Sequence, residues 1–140
     1  MIKGYDYFIS HSSKDSISIQ KLIQIESRDG NNVYCDWISD VDYLKRHLVC
    51  RATLNVIKMR MQQSNAMIFL ISENSLNSDW CKYELNYFNK LGKPIYCISI
   101  ESINEQRLSL EMMKDNWFLD PDYENLALIE SKNIQINGGG

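Results

Sequence analysis

Ala66-Met67-Ile68-Phe69-Leu70-Ile71-Ser72 is an apolar run broken only by its closing serine. A strand with one wet face alternates; a strand without alternation is covered on both faces, as in the middle of a parallel sheet. Ile95-Tyr96-Cys97-Ile98-Ser99-Ile100, after Pro94, reads as a second strand of that kind. Two shorter candidates stand upstream, Tyr5-Asp6-Tyr7-Phe8-Ile9-Ser10 and Val33-Tyr34-Cys35-Asp36-Trp37. Between them lie helical stripes, Ile19, Leu22 and Ile23 in one segment and Leu54, Ile57 and Met61 within residues 52–63. Strands alternating with helices predict an α/β fold, a parallel sheet with helices on both faces. A strand order of 2-1-3-4-5 sets strands 1 and 3 side by side, with their helices leaving to opposite faces. Ligands bind at such a switch point, outside the carboxyl ends of the strands.

Ser78-Asp79-Trp80-Cys81-Lys82-Tyr83-Glu84-Leu85-Asn86-Tyr87-Phe88-Asn89-Lys90-Leu91 reads as a helix. Asn77, Ser78 and Asp79 are capping residue types, and Gly92-Lys93-Pro94 is a stop signal. On a wheel of about 100° per residue, Cys81, Leu85, Phe88 and Leu91 share one arc with Trp80, Tyr83 and Tyr87 beside it. Lys82, Asn86, Asn89 and Lys90 take the opposite arc. Glu84 falls among the apolar and aromatic residues. Removing an ionised acid from water costs several kcal/mol unless it is paired or hydrogen-bonded. Two readings stand: a structural Glu held by a cation or by backbone amides, and a working carboxylate in a cleft. Trp80 and Tyr83 lie about one turn before it on the same side, and two flat faces beside an acid suit a ligand with hydroxyls and planar rings. The expected crevice gathers His11-Ser12-Ser13 after strand 1, the segment from Ser72 to Asn77 after strand 3, and Glu84.

The rest of the chain is read more coarsely. Ser13, Asp15 and Ser16 are capping types for the first helix, and Asp29-Gly30-Asn31-Asn32 ends it. Residues 38–47 lack periodicity and read as a long, functional loop. Glu73 to Asn77 reads as a loop. Beyond Ile100, Met112, Met113, Trp117 and Phe118 supply core. Asp120-Pro121-Asp122 is a turn, Tyr123 to Glu130 a short helix, and Asn133-Ile134-Gln135-Ile136 a last edge strand. Residues 1–137 form one domain, and Gly138-Gly139-Gly140 is a flexible tail.

With 140 residues, 44% hydrophobic, the chain holds enough for one core. A net charge of −3 without a basic block argues against nucleic acid or an anionic membrane as partner. No apolar run reaches the roughly 20 residues of a membrane helix. The four cysteines form no C-x-x-C pair and only two histidines accompany them, so no metal site is expected. Three of the cysteines sit in apolar stretches as small core residues, which implies reduced thiols and a cytoplasmic location.

Tyr5-Asp6-Tyr7-Phe8-Ile9-Ser10-His11-Ser12 resembles the first conserved box of Toll/interleukin-1 receptor (TIR) domains. Ser78-x-Trp80-Cys81-x-x-Glu84-Leu85 resembles the Ser-x-Trp-Cys-x-x-Glu-Leu motif of their bacterial and plant members. Asp36-Trp37 and the segment to Arg46 are similar to the end of that fold's second strand and its BB loop. The resemblance spans about the first 100 residues. It implies a flavodoxin-like, three-layer fold around a five-stranded parallel sheet. It also implies an NAD+ nucleosidase, an enzyme cleaving the nicotinamide–ribose bond to nicotinamide plus linear, cyclic or modified ADP-ribose, often in bacterial anti-phage defence. NAD+ is then the substrate, with no further cofactor. The family's catalytic Glu falls on Glu84. Active forms self-associate, with the BB loop of one protomer completing its neighbour's pocket. The alternative within the same fold is a non-enzymatic adaptor working only through TIR–TIR contacts.

The residues are compatible with that chemistry. Nicotinamide leaves NAD+ neutral, so no general acid is needed, and one carboxylate can serve where glycoside hydrolysis uses two. Glu84 would hold the ribose and stabilise its developing positive charge. Trp80 and Tyr83 would wall the nicotinamide side. Ser10, His11, Ser12 and Ser13 would offer donors to the pyrophosphate or the amide. His11 as a general base competes with a solvated turn histidine. Asp36 either binds ribose or caps a turn, and Trp37 is either a pocket rim or core. Arg46, within Lys45-Arg46-His47, grips phosphate or a neighbouring protomer, or is a solvated loop face. Cys81 reads as buried filler rather than a nucleophile. The strand 1 turn has no glycine, which excludes Rossmann-style dinucleotide binding. A phosphoacceptor receiver domain is excluded by the lack of an acidic pair at the end of strand 1.

Overall fold

The computed structural model describes residues 4–35, 51–105, 110–113 and 116–123. β1 (Tyr5–Ser10) leads through a 3-10 turn (Ser13–Asp15) into α1 (Ser16–Arg28), and β2 (Val33–Tyr34) follows. Next come α2 (Arg51–Gln62), β3 (Ser64–Ile71), a short α3 (Glu73–Leu76), α4 (Asp79–Lys90) and β4 (Ile95–Ser99). α5 (Ile100–Asn104) and β5 (Glu111–Met112) complete the described elements. The sheet order is β2-β1-β3-β4-β5, the order expected. β1 pairs in parallel with β2 and β3, and β3 with β4.

Side-chain alternation along the strands builds the two halves of the core. Phe8, Met67 and Phe69 join Leu54, Ile57 and Met61 of α2 and Cys81, Tyr83, Leu85 and Phe88 of α4 on one face. Ile9, Ile68, Leu70 and Ile98 join Ile19 and Leu22 of α1 and Ile103 of α5 on the other. This double cover explains the unbroken apolar run of β3, all of it buried from Ala66 to Leu70. It also fixes the direction of Ser10. Two positions after Phe8, it lies on the α2/α4 face, at the carboxyl end of β1 and in register with Phe69.

Several local expectations change. β5 is antiparallel to β4, so the sheet is mostly rather than wholly parallel. Only residues 100–110 separate these strands, short of the dozen or so that a parallel crossover takes. Ile100 opens a helix because Ser99 caps it, its hydroxyl accepting from the Ser102 amide. Glu73–Leu76 is helical rather than a loop, since Ser72 and Ser75 form a reciprocal capping box. β2 is assigned only over Val33–Tyr34. Met112 and Trp117, read as core, are exposed, whereas Phe118 is buried. Asn86, assigned to the polar arc of α4, is buried as well. Its amide donates to the carbonyl oxygens of Lys82 at 2.7 Å and Phe118 at 2.6 Å, and its oxygen accepts from the Asp120 amide at 2.6 Å. The segment at Phe118–Asp120 therefore covers an arc of α4 that the helical wheel left to solvent. Asp36, Trp37, the loop at 38–47 with Arg46, the expected helix from Tyr123 to Glu130 beyond its first residue, and the expected strand at 133–136 lie outside the described residues.

Candidate functional site

The site lies where the carboxyl ends of β1 and β3 meet the start of α4. Ser78 caps α4, its hydroxyl accepting from the Cys81 amide. Tyr83, Glu84 and Leu85 follow one turn into the helix, and all are buried. Glu84 is only 1% exposed, and it faces the sheet. There the Ser10 hydroxyl, itself wholly buried, donates to Glu84 Oε1 at 2.9 Å. The two residues that the sequence placed in separate motifs are thus in direct contact. A hydroxyl donor stabilises the ionised form of an enclosed carboxylate and restricts its rotamer.

Aromatic rings extend from the carboxylate. Trp80 meets Tyr83 edge-on, their centroids 6.3 Å apart at an interplanar angle of 81°. Tyr83 lies 5.6 Å from the ring of Tyr123. Both Trp80 and Tyr83 belong to the packed α2/α4 face, Tyr83 with no exposed surface. On the other side of Ser10, His11 is buried rather than a solvated turn residue. Cys35, just after β2, brings its Sγ within 3.8 Å of both imidazole nitrogens.

Ser12 is half-buried and caps the 3-10 turn, its hydroxyl accepting from the Lys14 amide at 3.3 Å. Ser13 opens that turn. Asp15, expected to cap α1, makes no side-chain cap. Its carboxylate instead reaches the turn after β3, accepting from the Ser72 hydroxyl and from Asn74 Nδ2 at 2.9 Å. Asp15 is a structural member of the site region that the sequence reading missed. Its partners lie in the distant turn after β3, so no local pattern could expose it. Ser10, His11, Ser12, Trp80, Tyr83 and Glu84 are thus gathered around one end of the sheet, while Asp36, Trp37 and Arg46 are not described. Among the described residues, no group of three or more His, Cys, Asp or Glu side chains is arranged to hold a metal ion. None of the described helices is long and apolar enough to cross a membrane.

Comparison with known proteins places this geometry among relatives. Residues 8–105 match the family described as "Thoeris protein ThsB, TIR-like domain". A Cytobacillus dafuensis protein named "Putative cyclic ADP-D-ribose synthase TIR2" is 47% identical over 98 residues, 70% of this chain and 26% of that protein. "Probable 3' cyclic ADP-D-ribose synthase ThsB'" of Bacillus cereus (strain MSX-D12) is 37% identical over 98 residues, 70% of this chain and 50% of that protein. The chain therefore spans half or less of the length of these two curated relatives. In three dimensions it is similar to the TIR domain of the Toll-related receptor TRR-2 from Hydra magnipapillata. The TM-score is 0.54 at 18% identity, covering 95% of this chain and 97% of that one, a likeness of fold alone.

Proposed function

The chain belongs to the TIR-like domain family of the Thoeris protein ThsB, and from that premise we propose that it cleaves NAD+ at the nicotinamide–ribose bond. The observation that carries the reading is Glu84, a carboxylate enclosed at the switch point of the sheet and held by Ser10. The names of the two bacterial relatives, both cyclic ADP-D-ribose synthases, support the same chemistry and a cyclic product.

In the proposed reaction the bond between ribose C1′ and the pyridinium nitrogen breaks. Its electron pair stays on that nitrogen, so nicotinamide leaves neutral and needs no proton. Positive charge develops on C1′ and the ring oxygen, and Glu84 stabilises it in a water-poor setting where the attraction is strongest. Attack on C1′ by a hydroxyl of the same molecule gives a cyclic ADP-ribose and one proton; attack by water gives ADP-ribose and one proton. Trp80, with Tyr83 packed behind it, walls the nicotinamide side. His11, Ser12 and Ser13 are proposed to offer donors to the pyrophosphate and the amide. Asp36, Trp37 and Arg46 are proposed to complete the site, with a second protomer contributing through the loop at 38–47. The working form is then a cytoplasmic self-association serving anti-phage defence.

The test is to incubate the concentrated chain with NAD+ and follow products by chromatography over a range of protein concentrations. Nicotinamide and an equimolar cyclic ADP-ribose, rising more than linearly with protein, are the expected result. No nicotinamide at any concentration, even after forced clustering, would favour the adaptor reading.

A further inference from the structure

We propose that Ser10 is the positioning residue of Glu84 rather than a contact for substrate. The inference rests on Glu84 being the working carboxylate. Its basis is geometric. Ser10 and Glu84 are enclosed to the same degree, 0% and 1% exposed, so the direction of the hydrogen bond between them, rather than burial, separates their roles. A serine has one hydroxyl proton, and that of Ser10 is donated to Glu84 Oε1 at 2.9 Å. The strand pleat sets this direction, since Ser10 shares the α4 face with Phe8 and stands opposite Phe69 in the central strand. Both partners sit on regular elements, β1 and α4. A Glu side chain has three rotatable bonds, and a buried donor on one oxygen selects among their rotamers. It also favours the ionised form needed opposite a developing cation. Ser10 therefore contributes to the aim and the charge of Glu84 through this hydrogen bond.

The test compares wild type with Ser10→Ala, Ser10→Cys and Ser10→Thr, all checked for melting temperature. Cysteine keeps the shape with a weak donor, and threonine keeps the hydroxyl. The expected result is a fall in kcat of about 10- to 100-fold for the Ala and Cys variants, with KM nearly unchanged and substantial recovery in Thr. The acid limb of the pH–rate profile moves to higher pH in Ala and Cys, because the charged form has lost its donor. An effect on KM alone would make Ser10 a substrate contact and overturn the proposal, as would wild-type kcat in both variants. If Ser10→Ala fails to fold, Ser10→Cys decides. A second readout does not depend on turnover. The side-chain carboxyl carbon of Glu84, assigned as the NMR resonance absent from Glu84→Gln, should titrate at higher pH in Ser10→Cys than in wild type. An unmoved titration overturns the positioning role even if NAD+ cleavage is confirmed. A moved titration in a chain that never cleaves NAD+ would leave the Ser10–Glu84 coupling intact and remove the proposed activity.

Discussion

Asp15 and Ser72 are hydrogen-bonded although 57 positions separate them in the chain. The Asp15 carboxylate also accepts from Asn74. One buried acid thus ties the turn after β1 to the capped helix after β3. Hydrogen bonds to a charged group contribute about 1.5–3 kcal/mol each. Asp15→Ala is therefore expected to destabilise the domain by about 2–3 kcal/mol in urea unfolding. Asp15→Asn should cost less, since its amide oxygen can still accept from Ser72. Equal stability of the Ala variant and wild type would show that the bridge contributes nothing.

Asn86 fastens the far arc of the same helix. Its side chain satisfies the carbonyl of Phe118 and the amide of Asp120 while also bonding Lys82 of its own helix. Asn86→Ala leaves buried backbone groups without these partners, with an expected loss of about 2–3 kcal/mol and a melting point lower by roughly 5–15 °C. Asn86→Asp should not rescue it, because a carboxylate oxygen would then face the Phe118 carbonyl. Hydrogen exchange at Asp120 should accelerate in Asn86→Ala, which removes its acceptor; protection unchanged from wild type would contradict the role.

Alkaline pH should weaken the fold through Tyr7. Burial pushes its phenol above the ordinary value of 10, and the nearby Glu26, Tyr96 and Asp6 push the same way. The folded chain then keeps a proton that the unfolded chain releases. Stability from this source is fully present below about pH 10 and is lost as pH rises through the higher folded value. Tyr7→Phe removes the titrating group. Its urea midpoint should fall less between about pH 9 and pH 11 than that of wild type. Parallel losses in the two proteins would count against the assignment.

What was legible in the chain was what local pattern encodes. The unbroken run at 66–72 and the stripes of Ile19/Leu22 and Leu54/Ile57/Met61 specify which faces are covered, and the alternation of elements gives the α/β class, while the order 2-1-3-4-5 is one of several that alternation allows. Glu84 was visible as a carboxylate inside an apolar arc, and the topology brought it to the end of strand 1. Its contact with Ser10, the Asp15 bridge and the burial of Asn86 were not legible. Each depends on a partner brought near by the fold rather than by spacing along the chain. The antiparallel β5 escaped for a related reason, since a two-residue strand carries no periodicity. Met112 and Trp117 show the limit of composition, large apolar residues that remain exposed on a segment whose burial falls to Phe118.

The most direct test of Glu84 is the rate of nicotinamide release from NAD+ by wild type and by Glu84→Gln, with melting points measured alongside. Glutamine keeps nearly the same volume and an oxygen to accept from Ser10, so the melting point reports whether the variant is folded. Activity should fall by about 100-fold or more, the scale on which a single preorganised electrostatic group acts. A folded Glu84→Gln that releases nicotinamide at the wild-type rate would make Glu84 a structural residue and contradict the mechanism.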